Sequence, residues 1–273
     1  MRAATRLAED VELVAVAGLD TASALVGTPL SVDGAAHLFL GATAVVGVET
    51  TSPLPPGPAR TAGFSQQRGV DGTVLLQRAL PGRSLLTRLA RAWRRENRAV
   101  DLDALLEAAA ALPGRVVARL PALDVLDTAL AAPGDVTAAL AAALRARDEP
   151  VPTDPVTTVR MVCDALASAY ARVLADLARV TGRDVLVVHV TGPGSTNGLL
   201  CDALAARAGV PVLAGPTDAA ALGNVLVQAR AHGALGGDAD LSDLRALVAS
   251  ARPLRTHRPA RRTAPRLSAA VGR

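Results

Sequence analysis

The chain has 273 residues, half of them apolar, which is long and apolar enough for one large domain with a buried core. Only four residues are aromatic, so the stacking platforms of proteins that bind single-stranded nucleic acid are nearly absent. The net charge of +4 is reached without a single lysine, which excludes a Schiff-base lysine and a phosphate loop of the Gly-Lys-Ser/Thr type.

The first part of the chain predicts strands with a short helix between them. Residues 11–18 and 35–49 have the apolar pattern of strands, and glycines break the second one at a turn. The segment between them predicts a short helix that begins at Asp20. A stretch rich in Pro and Gly over 50–63 predicts a loop.

The middle of the chain predicts helices. Apolar residues recur at spacings of three and four in the segments 84–97, 102–112, 135–147 and 157–180. The last of these is the longest, and Gly182 follows it at a position where glycine commonly ends a helix.

The most regular pattern is a strand, turn and helix near the end of the chain. Residues 185–190 predict a buried strand, 191–194 a glycine-rich turn and 195–208 a helix, followed by a strand over 211–215 and a helix over 217–232. Such an alternation is typical of an α/β sheet covered by helices. A glycine turn after a strand lets a ligand approach the backbone beside the first N–H groups of the helix. Nucleotides often bind in such crevices, although many of these turns need glycine only for their dihedral angles.

Four groups of residues resemble motifs of the FGGY carbohydrate kinases. They are the run DTASA over residues 20–24; Gly192, Gly194, Ser195 and Asn197; Gly215, Pro216 and Ala219; and Gly223, Asn224 and Gln228. The last three are similar to the Gly-Gly-Gly-Ser-x-Asn, Gly-Pro-x-Glu-Ala and Gly-Asn-x-x-x-Gln motifs of that family's C-terminal domain. The match is strongest with the branch that acts on L-rhamnulose, and it extends from residue 11 to about residue 258.

This resemblance implies a fold, a reaction and a set of site residues. The fold is α/β, a ribonuclease H-like domain of the actin-like ATPase type over residues 1–250, with a mixed sheet flanked by helices. The cofactors are ATP and Mg²⁺, and Asp20 is the base that accepts the proton of a ketose hydroxyl during phosphoryl transfer. The implied sugar contacts are Leu19, Asp20 and Thr21, and the implied nucleotide contacts are Gly41, Thr43, Gly192, Gly194 and Asn197.

Several departures from the family's motifs keep a second hypothesis open. Ala42 stands where the family has a phosphate-contacting threonine, and Thr43 could replace it only if the turn shifts by one residue. Leu19 replaces a histidine, and Ala79 and Thr87 replace an asparagine and a glutamine. Each lost polar contact costs on the order of 1–3 kcal/mol of binding. The alternative is therefore a degenerate, non-catalytic module that keeps the fold.

Some of these residues also have a purely structural interpretation. Without the family, Asp20 is simply the N-cap of its helix, and Ser195 is predicted to cap the helix that follows the turn. Pro193 has no N–H to offer a nucleotide. His189 lies within a buried strand and is predicted to be a core residue, and no His or Cys spacing predicts a metal site.

The remaining expectations concern partners and location. The family's N-terminal domain, with its Asp-x-Gly-Thr hairpin, has no counterpart in the sequence, so we expect a partner domain on another chain, or a truncated kinase that cannot act alone. Residues 251–273 are rich in Arg and Pro and predict a disordered basic tail. With no targeting segment or apolar span, and with Cys163 and Cys201 as reduced thiols, the sequence predicts a cytoplasmic protein that binds neither membrane nor nucleic acid.

Overall fold

A seven-stranded mixed sheet forms the centre of the described part of the chain. The computed structural model describes residues 12–30, 33–96, 99–236 and 238–259. The strands are β1 (Ala35–Leu40), β2 (Thr43–Thr50), β3 (Ser65–Arg68), β4 (Val74–Pro81), β5 (Val187–Thr191), β6 (Val212–Ala214) and β7 (Arg255–His257). Their order in the sheet is β3-β4-β2-β1-β5-β6-β7. The β1–β5 and β5–β6 pairs are parallel and the other pairs are antiparallel.

Helices connect and cover these strands. They are α1 (Asp20–Val26), α2 (Pro56–Thr61), α3 (Ser84–Arg95), α4 (Leu102–Ala110), α5 (Gly114–Val117), α6 (Thr128–Ala131), α7 (Val136–Arg145), α8 (Pro155–Thr181), α9 (Gly198–Ala208), α10 (Ala219–Ala231) and α11 (Leu241–Ala251). The helix predicted over 157–180 is confirmed as α8. Asp154 caps its start by accepting a hydrogen bond from the backbone N–H of Thr157, and Gly182 ends it in the left-handed conformation.

The strand predicted over 11–18 is wrong for the described residues 12–17, which form neither strand nor helix. Val16 and Ala17 pack on helices instead, while Leu13 is largely exposed. Val16 joins a small cluster with Val26 of α1 and Val227 of α10, and the Glu12 carboxylate lies 3.4 Å from His232 Nδ1. An apolar pattern does not by itself supply a strand partner, and the described sheet consists of β1 to β7 without this segment.

The first face of the sheet carries the main apolar core. Ala36, Leu38 and Leu40 alternate along β1 and are at most 1% exposed, because successive strand residues point to opposite faces. Val188 and Val190 of the parallel neighbour β5 belong to the same core. Helices α8 and α9 pack on this face.

The second face carries α1, with α10 and α11 packed against it. Leu25 of α1 packs on Leu75 of β4, while Val26 packs with Val227 of α10 and Leu244 of α11. Helix α1 therefore lies between the sheet and two further helices, and every residue from Thr21 to Val26 is buried.

A polar row crosses this second face. His37 and His189 are register partners in the parallel β1–β5 pair, and each is 2% exposed. Gly47, the partner of His37 in β2, leaves room for the imidazole, because a Cβ atom there would lie 2.8 Å from His37 Cε1. Within the described chain, none of the four ring nitrogens has a hydrogen-bond partner. His189 is thus buried as predicted, but it is not satisfied.

The parallel strands end at one edge of the sheet. Leu38 of β1 is paired with Val190 of β5, which is paired with Ala214 of β6, so the turns after these strands are neighbours. We call this the turn edge. It comprises residues 41–43, 192–197 and 215–218.

The expected boundary at residue 250 falls inside the fold. The segment predicted to be disordered from residue 251 includes β7, which extends the sheet as an antiparallel neighbour of β6. Charge and proline content predicted disorder, but pairing with an exposed strand edge supplies the backbone hydrogen bonds that local sequence does not. Residues 260–273 lie outside the described residues.

In the described ranges, we find no helix that is both long enough and apolar enough to span a membrane.

Candidate functional site

The hairpin between β1 and β2 is held rigidly at the turn edge. The N–H of Gly41 donates to the carbonyl of Thr43 over 3.1 Å, and the carbonyls of Gly41 and Ala42 accept from the N–H groups of Arg83 and Ser84, each over 3.1 Å. The start of α3 therefore fixes the hairpin tip. Ala42 and Thr43 are both exposed there, so Thr43 carries the hydroxyl that this tip presents.

The glycines of the turn 192–197 fit it closely against β1. A Cβ atom on Gly192 would lie 3.0 Å from the ring of Phe39, and its φ of +83° disfavours any other residue. A Cβ atom on Gly194 would lie 2.4 Å from Leu40 Cγ. These two glycines therefore bring the turn against the end of β1, and Gly194 is buried in doing so.

Asn197 caps the helix that follows the turn. Its Oδ1 accepts from the N–H of Leu200 over 3.0 Å, and its Nδ2 lies 3.7 Å from Cys163 Sγ. Both ends of the amide are thus engaged, and the residue is 9% exposed. The prediction that Ser195 caps this helix is wrong, because α9 begins at Gly198 and Ser195 lies in the preceding 3₁₀ turn with its hydroxyl buried. The sequence signal for the correct cap was present, since asparagine is as good an N-cap as serine.

Two free cysteines lie beneath this turn. Burial raises the pKa of the Cys163 thiol and of the Cys201 thiol to about 12, so both stay protonated at neutral pH. Their role here is packing.

The third turn, 215–218, is joined to the second. The N–H of Gly192 donates to the carbonyl of Pro216 over 3.0 Å, and the N–H of Gly215 donates to the carbonyl of Val190 over 2.8 Å. Asp218, which stands where the family's motif has glutamate, pairs with Arg252 over 3.0 Å. The turns 192–197 and 215–218 are therefore one hydrogen-bonded unit.

Asp20 lies at the start of α1. Leu19 is the N-cap residue and Asp20 is the first helical residue, so the interpretation of Asp20 as the N-cap is wrong. Its Oδ1 accepts from the N–H of Thr21 over 2.8 Å. Leu19 and Asp20 are exposed and Thr21 is buried, which leaves the carboxylate open to solvent.

Helix α1 is linked to the turn edge through α10. A Cβ atom on Gly223 would lie 1.9 Å from the carbonyl oxygen of Ser23, and one on Gly27 would lie 2.1 Å from that of Ala219. The two backbones therefore touch, and they run antiparallel. Gly27 meets the first turn of α10, which follows residues 215–218. At a rise of 1.5 Å per residue, Asp20 lies about 10 Å back along α1 from this contact.

The motif residues of α10 have a structural role in this contact. Gly223 is the residue that lets the backbones touch, while Asn224 and Gln228 are hydrogen-bonded to each other over 2.6 Å on the helix surface. The predicted contacts Gly41, Thr43, Gly192 and Gly194 are thus brought together by the sheet, and Asp20 is linked to them by helix packing.

A cavity of about 540 Å³ opens beside the hairpin tip. Ala42, Thr43 and Ala79 line it together with the first turn of α3. Two of the positions where the family has polar ligands are therefore apolar here and face the same space.

Two site features were missed by the sequence reasoning. Arg252 and Arg255 contact the turns 215–218 and 192–197, although both belong to the segment predicted to be a tail. Two arginines three residues apart next to a proline form no sequence pattern that indicates these contacts. In the ranges that the structure describes, no three His, Cys, Asp or Glu side chains are grouped so that they could hold a metal ion.

Solved structures of sugar kinases share this fold. Xylulose kinase from Rhodospirillum rubrum matches with a TM-score of 0.62 at 18% identity, covering 95% of this chain and 49% of that one. Glycerol kinase from Plasmodium falciparum, solved with ADP, matches with a TM-score of 0.63 at 12% identity, covering 88% and 46%. The fold and the turn edge define an α/β domain of the actin-like ATPase type, as predicted.

Sequence comparison then identifies the family. Residues 36–232 match the C-terminal domain of the FGGY family of carbohydrate kinases. Rhamnulokinases from Bacteroides thetaiotaomicron and Pectobacterium carotovorum are 32% and 34% identical over 249 residues, 91% of this chain. The chain belongs to the FGGY family, and the resemblance seen in its motifs is confirmed. It spans about half the length of these curated relatives, 49% and 48%.

Proposed function

We propose that this chain is the nucleotide-binding half of a kinase that phosphorylates a ketose such as L-rhamnulose. One observation carries the proposal: Asp20 presents an exposed carboxylate on a helix whose other end packs, backbone to backbone, on the helix that leaves the turn edge. Such a carboxylate can accept the proton of a sugar hydroxyl. Both sequence relatives are rhamnulokinases, which supports the choice of L-rhamnulose as the ketose.

The residues of the turn edge suit a nucleotide. ATP would supply the phosphoryl group, and a bound Mg²⁺ would neutralise charge on it. Gly41, Thr43, Gly192 and Gly194 would hold the nucleotide at turns that carry little side chain. Asn197 would act indirectly, by holding the turn and capping α9, because its amide is already engaged. On the sugar side, Leu19 and Thr21 flank Asp20.

We further propose that activity requires an N-terminal kinase domain in addition to this one. The relatives are about twice as long as the region that matches them. The turn edge belongs to a single domain, so a sugar bound there would remain exposed to solvent. Closing an active site excludes water and completes the catalytic set. The complex would be cytoplasmic, where the buried thiols remain reduced.

A second candidate function is a non-catalytic module that keeps the fold. Leu19, Ala42 and Ala79 favour it, because none can replace the polar contact made at its position in the family, and the last two line an apolar part of the cavity beside the hairpin. Such a module would bind nucleotide weakly and would not transfer phosphate.

Reconstitution distinguishes the two functions. The chain is mixed with the separately expressed N-terminal domain of the Pectobacterium carotovorum rhamnulokinase, ATP, Mg²⁺ and L-rhamnulose, and ADP release is measured. We expect release that depends on the sugar. Asp20→Asn should lower kcat by about 10²- to 10⁴-fold, because the base is lost, while the Kd for ATP stays unchanged.

Asp103→Asn is the matched control, since it removes an exposed carboxylate from the first turn of another helix, α4. It should leave kcat unchanged. Binding of ATP by calorimetry without any turnover would establish the module instead, and an Asp20→Asn variant as active as the wild type would remove Asp20 from the mechanism.

A further inference from the structure

A short segment after α11 crosses the turn edge. We call residues 252–257 the C-terminal strap. It lies outside the residues matched to the family, 36–232. Within it, β7 pairs with β6, and Arg255 lies opposite Ala214, the residue immediately before the turn 215–218. The strap therefore enters the sheet where the turn edge begins.

Arg255 reaches from the strap to the turn 192–197. Its Nη2 donates to the carbonyl oxygen of Ser195 over 2.9 Å. Ser195 belongs to the 3₁₀ turn Pro193–Thr196, and such turns have poorer hydrogen-bond geometry than α-helices. A cation near the last carbonyls of a helical turn is favourable, and its hydrogen bond is charge-assisted. Arg255 thus adds a strong contact to a weakly bonded turn.

The strap also holds the neighbouring turn 215–218. Arg252 pairs with Asp218 over 3.0 Å, and Leu254 Cδ2 lies 3.5 Å from the position of a Cβ atom on Gly215. Because the two turns are hydrogen-bonded to each other, the strap braces both as one unit.

We propose that Arg255 is a positioning residue of the nucleotide site. It fixes the turn 192–197 in the conformation that receives the nucleotide, and it acts through Ser195 rather than on the reacting atoms. The identity of the ligand rests on the proposed function, whereas the bracing of the turn does not. The part of the chain that shapes the nucleotide site then extends at least to His257, whose Nδ1 lies 2.7 Å from Asp202 Oδ1 of α9.

The test compares three variants of the full chain. Arg255→Met keeps an unbranched stem and removes the guanidinium, Arg255→Lys keeps a donor, and Arg258→Met removes the same charge from an exposed residue just after β7. Hydrogen exchange of the amides of residues 192–197 is measured without nucleotide, the Kd for ATP by calorimetry, and the melting temperature by circular dichroism.

Arg255→Met should raise exchange at 192–197 and weaken ATP binding about tenfold, with a melting temperature close to that of the wild type. Arg255→Lys should restore most of both properties, and Arg258→Met should match the wild type. Unchanged exchange at 192–197, or an increase spread evenly over the sheet, would overturn the proposal. If the wild type binds no ATP while exchange responds as expected, the positioning role stands and the proposed function fails.

Discussion

Two histidine side chains show what individual residues contribute to the sheet. His37 and His189 are neutral inside the second face, and burial lowers the pKa of His37 to about 3 and that of His189 to about 4. The positive charge of the nearby Arg245 lowers the pKa of both further. Arg245 is itself anchored, 2.7 Å from a Glu49 carboxylate oxygen and 3.1 Å from the carbonyl of Leu25 in α1. Protonating either imidazole would place a second positive charge beside Arg245.

Stability should therefore fall in mild acid. Both histidines have a lower pKa in the folded chain than the 6.5 of an exposed histidine, so the unfolded chain takes up protons first. The stabilising contribution is complete above pH 6.5 and is lost as the pH falls from there towards the folded-state pKa, about 4 for His189 and about 3 for His37. At pH 5 we expect a loss of about 2 kcal/mol for each histidine, measured by urea unfolding at pH 7 and pH 5.

His189→Phe tests the assignment. The variant should lose about half of the difference between the two pH values, because one of the two buried imidazoles is gone. His232→Phe, which removes a histidine with a 49% exposed side chain, should keep the full difference. An identical pH response in all three proteins would show that other groups are responsible.

Among the elements, α1 and α10 make a close backbone contact. Helices normally stay 8–10 Å apart because side chains lie between them. Here Gly27, Ala219 and Gly223 remove that layer, and the carbonyl of Ser23 lies against Gly223. The motif glycine of α10 is thus explained by packing, whatever ligand the chain binds.

Gly223→Ala should separate these helices. The added Cβ atom would meet the Ser23 carbonyl oxygen at 1.9 Å, so α10 has to move, at a cost of about 1–3 kcal/mol of unfolding free energy. The free energy is measured by urea denaturation at pH 7. Gly57→Ala in α2 is the control, because a Cβ atom there meets nothing within 4 Å, and it should change stability by less than about 1 kcal/mol. A Gly223→Ala protein as stable as the wild type would contradict the close contact.

Across the whole molecule, the sheet is extended on both sides of its central five strands. The order β4-β2-β1-β5-β6 places the two parallel pairs beside two antiparallel ones, and β3 and β7 cover the outer edges. An exposed strand edge is a template for pairing with other chains. With β7 present, the edge strand is the polar Arg255–His257 and not the apolar Val212–Ala214, and charged side chains on an edge strand discourage pairing with other chains.

Truncation should show this protection. A chain that ends at residue 251 loses β7 and leaves β6 as an open edge, so we expect a lower melting temperature and association of the molecules. Size-exclusion chromatography with light scattering measures the association. A chain that ends at residue 259 keeps β7 and should behave like the full chain. Equal behaviour of the two truncated chains would mean that β7 contributes little.

Local sequence patterns predicted more of the secondary structure than of the contacts in the candidate site. Residues 157–180 were recognisable as a helix because apolar spacing is a property of the segment itself. The conformations of residues 12–17 and 255–257 were not recognisable, because whether a segment becomes a strand depends on which other strand is available to pair with it. Asn197 and Arg255 show the same limit at the site: the partners of their side chains are 34 and 60 residues away, and no local pattern encodes such distances.

The backbone contact between α1 and α10 has a mechanical consequence. Because no layer of side chains separates the two helices at this contact, a tilt of one helix is transmitted to the other. The carboxylate of Asp20 lies on α1, and the loop that leads from β6 enters the first turn of α10. A domain that pressed on either helix would shift the Asp20 carboxylate and the start of α10 together.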